Sequence, residues 1–251
     1  MNSLPNPKQF IAIKSSLSSA HRNMNKATKN YDLEKIHSTF KRAIKKVDRK
    51  ILVQKGNELI DYCFYRGTPY PEDAKDLFGW SPKDQSETIH LLDKEGKVKT
   101  IAIRRSRDIK WKTFGSKKYC PYDIKDDYIF LFSGMAELVI MKMLGLSYVM
   151  LQSDGMVKHL PLELKSMAAN KVIVVLQDND ESFKNIVSEI IDFFDSSEVI
   201  IIDFEDLLER SLKKGYDFRD FCNEIKDAKR VMMLIENEII SQQEEMHVRK
   251  S

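Results

Sequence analysis

The chain has 251 residues, of which 42% are hydrophobic and 31% are charged. These fractions are typical of a globular protein with one large or two small domains, and no stretch approaches the ~18–20 apolar residues that a membrane-spanning helix requires. The three cysteines, Cys63, Cys120 and Cys222, are far apart and form no Cys-x-x-Cys pair. We therefore expect a cytoplasmic protein without a disulfide framework, a zinc ribbon or membrane contact.

The net charge of +3 conceals an uneven distribution along the chain. Residues 1–118 contain 26 Lys and Arg against 13 Asp and Glu, a net charge of +13, whereas residues 119–251 contain 15 against 25, a net charge of −10. Because Lys and Arg release counterions when they contact phosphates, the imbalance predicts that the first half binds a nucleic acid. The alternative is that these charges only cover solvated faces.

The basic half of the chain shows three kinds of pattern. Polar, low-hydrophobicity stretches indicate a loosely ordered arm, apolar residues at helical spacing indicate a helix, and apolar runs flanking a Gly turn indicate a hairpin. In chain order we predict an arm over residues 1–30, a helix from Leu33 to about Tyr65 with a break near Gly56, a loop over 67–85, and a β-hairpin with strands 88–93 and 98–105.

Basic residues continue beyond this hairpin, next to aromatic side chains. The pattern suits a single-stranded nucleic acid, whose backbone is held by cations while its bases stack on aromatic rings. Exposed edge strands also carry Lys and Arg as protection, which is the alternative. The residues that we predict to bind nucleic acid are Arg104, Arg105, Lys110, Trp111, Lys112, Lys117 and Lys118.

From Tyr128 onward, short apolar strands alternate with helices. Continuous apolar strands are buried on both faces, so the pattern predicts an α/β fold with a mostly parallel sheet and helices on both faces, preceded by a basic α+β subdomain. Ligands of such sheets bind at the carboxyl ends of the strands. The predicted strands are 128–133, 147–152, 171–177 and 198–203, and the predicted helices are 134–143, 182–194 and 221–243.

The third of these strands is followed by two acidic residues, Asp178 and Asp180. Carboxylates at positions i and i+2 just past a buried strand can point into one crevice. Mg²⁺ is usually held by one or two carboxylates and several waters, so the pair is a candidate metal site. The structural alternative is that Asp180 only caps the helix that follows.

In this order of elements, the second half of the chain resembles a Toprim domain, the catalytic fold shared by bacterial-type DNA primases, topoisomerases and several nucleases. The basic segment from Asp93 to Lys117 also looks similar to the subdomain that precedes Toprim in primase cores. In one position the chain departs from the family, because the leading Glu of the motif falls on Ser133. The matching segments, within about residues 126–225, are Ser133–Glu137, Gly145–Ser147, Ser153–Gly155, Asp178–Asp180 and Lys214–Phe221.

The resemblance implies a primase-like nucleotidyltransferase that uses Mg²⁺ or Mn²⁺, with Glu137, Asp178 and Asp180 as catalytic and metal-binding residues. The hydroxyl of Ser133 can neither supply negative charge nor take a proton at neutral pH. Glu137 lies one helical turn further on and faces roughly the same side. Three interpretations remain open: Glu137 compensates and the enzyme is active, metal binding persists with weak chemistry, or the domain is a binding module.

The expected substrates and partners are nucleotides, a single-stranded DNA or RNA, and a helicase or another replication protein. Two alternatives are a Toprim nuclease, which would use the same metal-binding carboxylates to cleave phosphodiesters, and a catalytically weak nucleic-acid-binding protein. The sequence contains no set of Cys and His residues spaced to bind zinc, and no phosphate-binding loop of the type Gly-x-x-x-x-Gly-Lys-Ser/Thr. We therefore expect a stand-alone primase core, as encoded by a mobile element. The predicted domains are an arm (1–30), a basic α+β subdomain (31–122), a Toprim-like domain (123–225) and a C-terminal helix (226–251).

Overall fold

The computed structural model describes residues 32–47, 76–103 and 112–250. The predicted arm, the helical prediction beyond residue 47, and four of the predicted nucleic-acid-binding residues (Arg104, Arg105, Lys110 and Trp111) lie outside the described residues. No helix in the described ranges is long and apolar enough to cross a membrane.

The first sheet contains four antiparallel strands in the order β1-β2-β3-β4, with a helix packed against it. The predicted hairpin is confirmed by β2 and β3, which pair Ile89 with Ala102. Strand β1 lies in the segment predicted to be a loop; it forms because all four of its residues are buried and pair with β2. The elements are α1 (Leu33–Ile44), β1 (Phe78–Ser81), β2 (Ser86–Leu92), β3 (Val98–Ile103) and β4 (Lys112–Gly115).

The second sheet contains β5 (Tyr122–Asp123), β6 (Tyr128–Ser133), β7 (Tyr148–Leu151), β8 (Val172–Gln177) and β9 (Glu198–Asp203). The strand order is β5-β7-β6-β8-β9, and only β5, at one edge, pairs in the antiparallel direction. The predicted α/β fold with a mostly parallel sheet is thereby confirmed.

Helices cover both faces of the second sheet, as predicted. Because successive side chains of a strand point to opposite faces, β6 directs Phe130 and Phe132 into one buried cluster and Ile129 and Leu131 into another. The first sheet contributes to the former cluster. The elements are α2 (Met135–Leu144), a 3-10 segment (Asp154–His159), α3 (Glu163–Ala168), α4 (Glu181–Lys184), α5 (Val187–Phe193), α6 (Phe204–Leu207), α7 (Phe218–Ile225) and α8 (Ala228–Lys250).

Two helices predicted as continuous are divided. The predicted helix 182–194 consists of α4 and α5, separated at Asn185 and Ile186. The predicted helix 221–243 is wrong at its start, because α7 begins at Phe218 and ends where Lys226 adopts a left-handed conformation with φ 55°. The side chain of Asp217 explains the early start, since it accepts a hydrogen bond from the backbone of Asp220.

The order of the strands places a switch point at the centre of the second sheet. From β6 the chain crosses to β7 on one side and later returns to β8 on the other. In this register Ser133 lies opposite Leu151, and Leu131 lies opposite Val175. The carboxyl ends of β7, β6 and β8 are therefore neighbours, which is the position where open α/β sheets bind ligands.

Candidate functional site

Glu137 lies in the first turn of α2, and only 4% of its surface is exposed. Gly134 ends β6 with φ 124°, a conformation that residues with a side chain rarely adopt. A Cβ atom on Gly134 would collide with Oε2 of Glu137. The carboxylate of Glu137 therefore folds back over Gly134, at the carboxyl end of β6 and beside Ser133.

The turn after β8 is held by helix α6 and by the loop that precedes α7. The backbone N–H of Asn179 donates to the Tyr216 carbonyl at 2.8 Å, and that of Gly215 donates to the Asn179 carbonyl at 2.7 Å. The Asn179 side chain donates to Oε1 of Glu205 at 3.2 Å and to the carbonyl of Leu212 at 3.2 Å. These bonds fix the backbone between Asp178 and Asp180 and bring the loop that contains Asp217 next to it.

Asp180 has the structural role that the sequence left open. Its Oδ1 accepts hydrogen bonds from the Phe183 backbone at 2.8 Å and from the Ser182 hydroxyl at 2.9 Å, which caps α4. The same hydroxyl also contacts Oδ2 of Asp154, in the segment that follows β7. Oδ2 of Asp180 accepts no hydrogen bond from the described residues, so the cap leaves one carboxylate oxygen for a ligand.

The carboxylates at this end of the sheet, of which Glu137 is buried and Asp178 and Asp217 are partly buried, disfavour one another's charge. Burial, and then the carboxylate of Asp217, raise the pKa of Glu137 to about 8. Burial, and then the carboxylates of Glu137 and Asp217, raise the pKa of Asp178 to about 9. Burial also raises the pKa of Asp217, against the opposing effect of Arg219. We call Glu137, Asp178 and Asp217 the acidic cluster.

Arg219 is a cation that faces the acidic cluster. Its guanidinium lies 3.0 Å from Oδ2 of Asp217, and the two side chains are 29% and 17% exposed. Burial lowers the pKa of Arg219, but the carboxylates of Glu137 and Asp217 and their acidic neighbours more than offset this effect and raise it. Arg219 therefore supplies part of the positive charge that a bound cation would supply.

The acidic cluster has the chemistry of a magnesium site without enclosing an ion. Mg²⁺ prefers oxygen ligands, keeps several waters and is usually bound through one or two carboxylates. Across the described ranges, no group of three or more His, Cys, Asp or Glu side chains is close enough to hold a metal ion. Two of these carboxylates could hold a hydrated ion only if water or phosphate oxygens supplied its other ligands.

Three of the residues predicted to bind nucleic acid are described. Lys112 lies on β4, with its ammonium 4.7 Å from the centre of the Phe114 ring. Lys117 and Lys118 lie in the turn after β4 and are exposed.

Gln152 fastens this turn to the second sheet. It directly follows β7, and its side-chain amide donates to the carbonyls of Tyr119 at 2.6 Å and Ser116 at 3.0 Å. The turn that carries Lys117 and Lys118 is thus attached at the carboxyl end of β7. Because β7 pairs with β6, this attachment lies at the same end of the sheet as Ser133 and Gly134.

The sequence did not identify Asp217, Arg219 and Gln152 as site residues. Asp217 and Arg219 belong to the segment Lys214–Phe221. This segment resembles the family, but the resemblance implied no functional role for these two residues. Gln152 follows an apolar strand and has no sequence signal of its own, because its partners are about 35 residues away along the chain.

No protein-family model matches the chain, and no curated protein matches it significantly. Among solved structures, it is similar to the primase fragment of the bacteriophage T7 primase-helicase protein, with 15% identity, 63% of this chain and 64% of that chain covered, and a TM-score of 0.43. The chain therefore covers less than two thirds of that fragment. It is also similar to the zinc-binding and RNA polymerase domains of the Aquifex aeolicus primase. The identity is 14%, the match covers 93% of this chain and 70% of that chain, and the TM-score is 0.47. The similarity is one of fold at low sequence identity.

Proposed function

We propose that the chain is a primase-like nucleotidyltransferase that depends on Mg²⁺ or Mn²⁺ and joins nucleotides on a single-stranded DNA template. The observation that supports the proposal is the acidic cluster, whose carboxylates come from three separate segments and raise one another's pKa near the switch point of a parallel sheet. Burying carboxylates without a compensating cation is unfavourable, so their convergence at a ligand-binding position supports a cation-dependent reaction.

The residues of the site have distinct roles in this proposal. Glu137 and Asp178 would hold the metal ion, with Asp217 and the remaining oxygen of Asp180 beside them. When bound, the ion neutralises charge on the phosphates during phosphoryl transfer, a reaction that depends on positioning more than on covalent chemistry. Arg219 would contact the phosphate oxygens of the nucleotide, because a guanidinium presents two parallel donors to them.

The basic residues would hold the template. Lys117 and Lys118 are attached near the acidic cluster through Gln152, so a strand bound there passes the reacting groups. Binding by Arg104, Arg105, Lys110 and Trp111 remains a prediction from the sequence, as do a helicase partner, a mobile-element origin and a cytoplasmic location.

The direct test is synthesis of labelled oligonucleotides by the purified chain, with a single-stranded template, nucleoside triphosphates and Mg²⁺ or Mn²⁺. We expect template-dependent products that fall on the order of 10²-fold or more in a Glu137→Gln/Asp178→Asn variant, because charge stabilisation at the reacting phosphate is lost. The matched control is Glu189→Gln/Asp192→Asn, which neutralises two exposed carboxylates of α5. Equal synthesis by the cluster variant and the parent would contradict the proposal, and template cleavage without synthesis would favour the nuclease.

A second candidate, a catalytically weak nucleic-acid-binding protein, is favoured by Ser133 and by the use of one Asp180 oxygen as a helix cap. In that case the chain binds single-stranded DNA but neither synthesises nor cleaves it. A Ser133→Glu variant then discriminates, since a carboxylate at this position adds a metal ligand. Turnover that appears only in this variant would identify the parent as a binding protein.

A further inference from the structure

The two edges of the second sheet differ in how they are covered. At one edge, β9 is covered by α8, whose Gln242 side chain donates a hydrogen bond to the backbone carbonyl of Ile201 at 2.9 Å. At the other edge, β5 pairs with β7 and with no other strand that the structure describes. An uncovered edge strand presents backbone N–H and C=O groups that can pair with another chain.

Tyr122 directs its backbone hydrogen-bonding groups towards the open side of β5. The backbone N–H of Met150 donates to the carbonyl of Pro121 at 2.9 Å, and Tyr122 lies opposite Val149 in the next pair. Because hydrogen-bonded and non-hydrogen-bonded pairs alternate along an antiparallel ladder, the N–H and C=O of Tyr122 point away from β7. Strand β5 can therefore accept a further strand at this position.

A cavity of about 820 Å³ adjoins β5, and we call it the edge cleft. Its lining includes residues 121–124, which contain β5, and residues 92–96, which form the turn between β2 and β3. Leu162, a 77% exposed apolar residue, lies between the lining residues Pro161 and Glu163. Its volume lies in the range of ~300–1,000 Å³ that is typical of ligand sites. The edge cleft thus offers space, apolar contact and a strand edge together.

The charge of the edge cleft favours a cationic ligand. Five of its lining residues are Asp or Glu and three are Lys, a formal net charge of −2. Glu95 and Glu163 form no ion pair with any residue that the structure describes. The ammonium of Lys94 lies 4.4 Å from the centre of the Tyr122 ring, whose hydroxyl donates to Oε1 of Glu163 at 3.1 Å. A guanidinium in place of this ammonium could contact the ring and the carboxylate together.

We propose that the edge cleft binds an extended, arginine-containing segment of a partner protein, which adds a strand to β5. Main-chain hydrogen bonds to Tyr122 would provide affinity, and an arginine side chain beside the Tyr122 ring and Glu163 would provide specificity. The inference is independent of the proposed function. The lining of the edge cleft includes Tyr148, at the amino end of β7, whereas the acidic cluster adjoins the carboxyl ends of β6 and β8.

The test is a fluorescence anisotropy titration of the full chain with two labelled peptides of about eight residues, one of alternating Arg and Val and one of alternating Glu and Val. We expect the Arg/Val peptide to bind the parent, and the Glu/Val peptide to bind at least about tenfold more weakly, because the cleft repels its charge. The Glu95→Gln/Glu163→Gln variant should bind the Arg/Val peptide about tenfold more weakly, since the carboxylate partners of arginine are lost.

A second variant, Tyr122→Pro, tests the pairing with β5. Proline is tolerated in an edge strand where the N–H faces outward, and it removes both that donor and the aromatic ring. We expect a loss of at least about tenfold in the affinity for the Arg/Val peptide. Urea denaturation checks that each variant folds, and if Tyr122→Pro does not, the Glu95/Glu163 variant decides.

The matched control is Glu189→Gln/Asp192→Asn, which neutralises two exposed carboxylates of α5 and should change peptide affinity less than about twofold. No binding of the Arg/Val peptide by the parent, equal binding of the two peptides, or an equal loss in the control would overturn the inference. Template-dependent synthesis should be the same in the Glu95→Gln/Glu163→Gln variant and the parent, so peptide binding and synthesis report on separate sites.

Discussion

The acidic cluster and the turn that carries Lys117 and Lys118 are attached at the ends of neighbouring strands but are built in opposite ways. The carboxylates of the cluster are held in place by helix starts, backbone hydrogen bonds and Arg219, and their burial disfavours their charge. The side chains of Lys117 and Lys118 are exposed to solvent. An ion requires ligands at fixed positions, whereas phosphates along a strand can be held by long side chains that adjust. Substitutions in the acidic cluster should therefore change the stability of the fold, whereas substitutions of Lys117 and Lys118 should change only the binding of a ligand.

The largest effect on stability is expected from Gly134→Ala. The added Cβ would collide with Oε2 of Glu137, and φ of 124° is unfavourable for alanine. We expect a loss of about 2–4 kcal/mol in the free energy of unfolding, measured by urea denaturation, because the steric and backbone effects act together.

Gly155→Ala is the matched control for this substitution. A Cβ at Gly155 would meet no atom within 4 Å, and its φ is not in the left-handed range. The control should unfold within about 0.5 kcal/mol of the parent. Similar losses in both variants would mean that the position of the Glu137 carboxylate is not the cause.

A smaller effect is expected from Arg219→Gln. Removing the guanidinium leaves the half-buried carboxylate of Asp217 and its neighbours without their cation, so we expect a loss of about 1–2 kcal/mol at pH 8. Arg210→Gln is the control, because its ion pair with Glu224 is 49% and 42% exposed and should contribute about 0–1 kcal/mol. Urea denaturation that ranks the two variants in the reverse order would contradict the role of Arg219.

The smallest effect is a pH dependence of the metal-free chain. An unfolded Asp ionises near pH ~4, while Asp178 in the folded chain keeps its proton up to about pH 9. Between these values the folded state binds the additional proton, so this residue stabilises the fold fully below pH ~4 and its contribution is lost as pH rises through about 9.

Comparison with Asp178→Asn isolates this contribution from all other titrating groups. The variant should gain stability relative to the parent as pH increases from 6 to 7, by about 1 kcal/mol, or ~2–4 °C in Tm. Thermal unfolding at several pH values measures the difference. A constant difference across this range would show that Asp178 is ionised throughout.

The sequence predicted the second sheet well because its signals are local. Each parallel strand is a largely apolar run; Asp178 directly follows β8, and Ser133 is the last residue of β6. Strand β1 has no comparable signal, since its four residues include Gly79 and depend on pairing with β2. The break between α7 and α8 at Lys226 could not be predicted either, because no sequence pattern reliably identifies a non-glycine residue in a left-handed conformation.

The candidate site was only partly predictable for the same reason. Glu137 and Asp178 follow neighbouring strands, so the fold alone brings them together. Asp217 and Arg219 reach them through the hydrogen bonds between Asn179 and the loop at Gly215 and Tyr216, about 36 residues further along the chain. Contacts of this kind depend on tertiary packing, and no periodic pattern in the sequence predicts them.

The central claim, that the acidic cluster binds a catalytic cation, is tested most directly by calorimetric titration of the full chain with Mn²⁺. The parent should show saturable binding, Asp178→Asn should bind at least about tenfold more weakly because a ligand is lost, and the exposed control Asp192→Asn should bind like the parent. Equal Mn²⁺ affinity in Asp178→Asn and the parent, or no binding by the parent, would contradict the account.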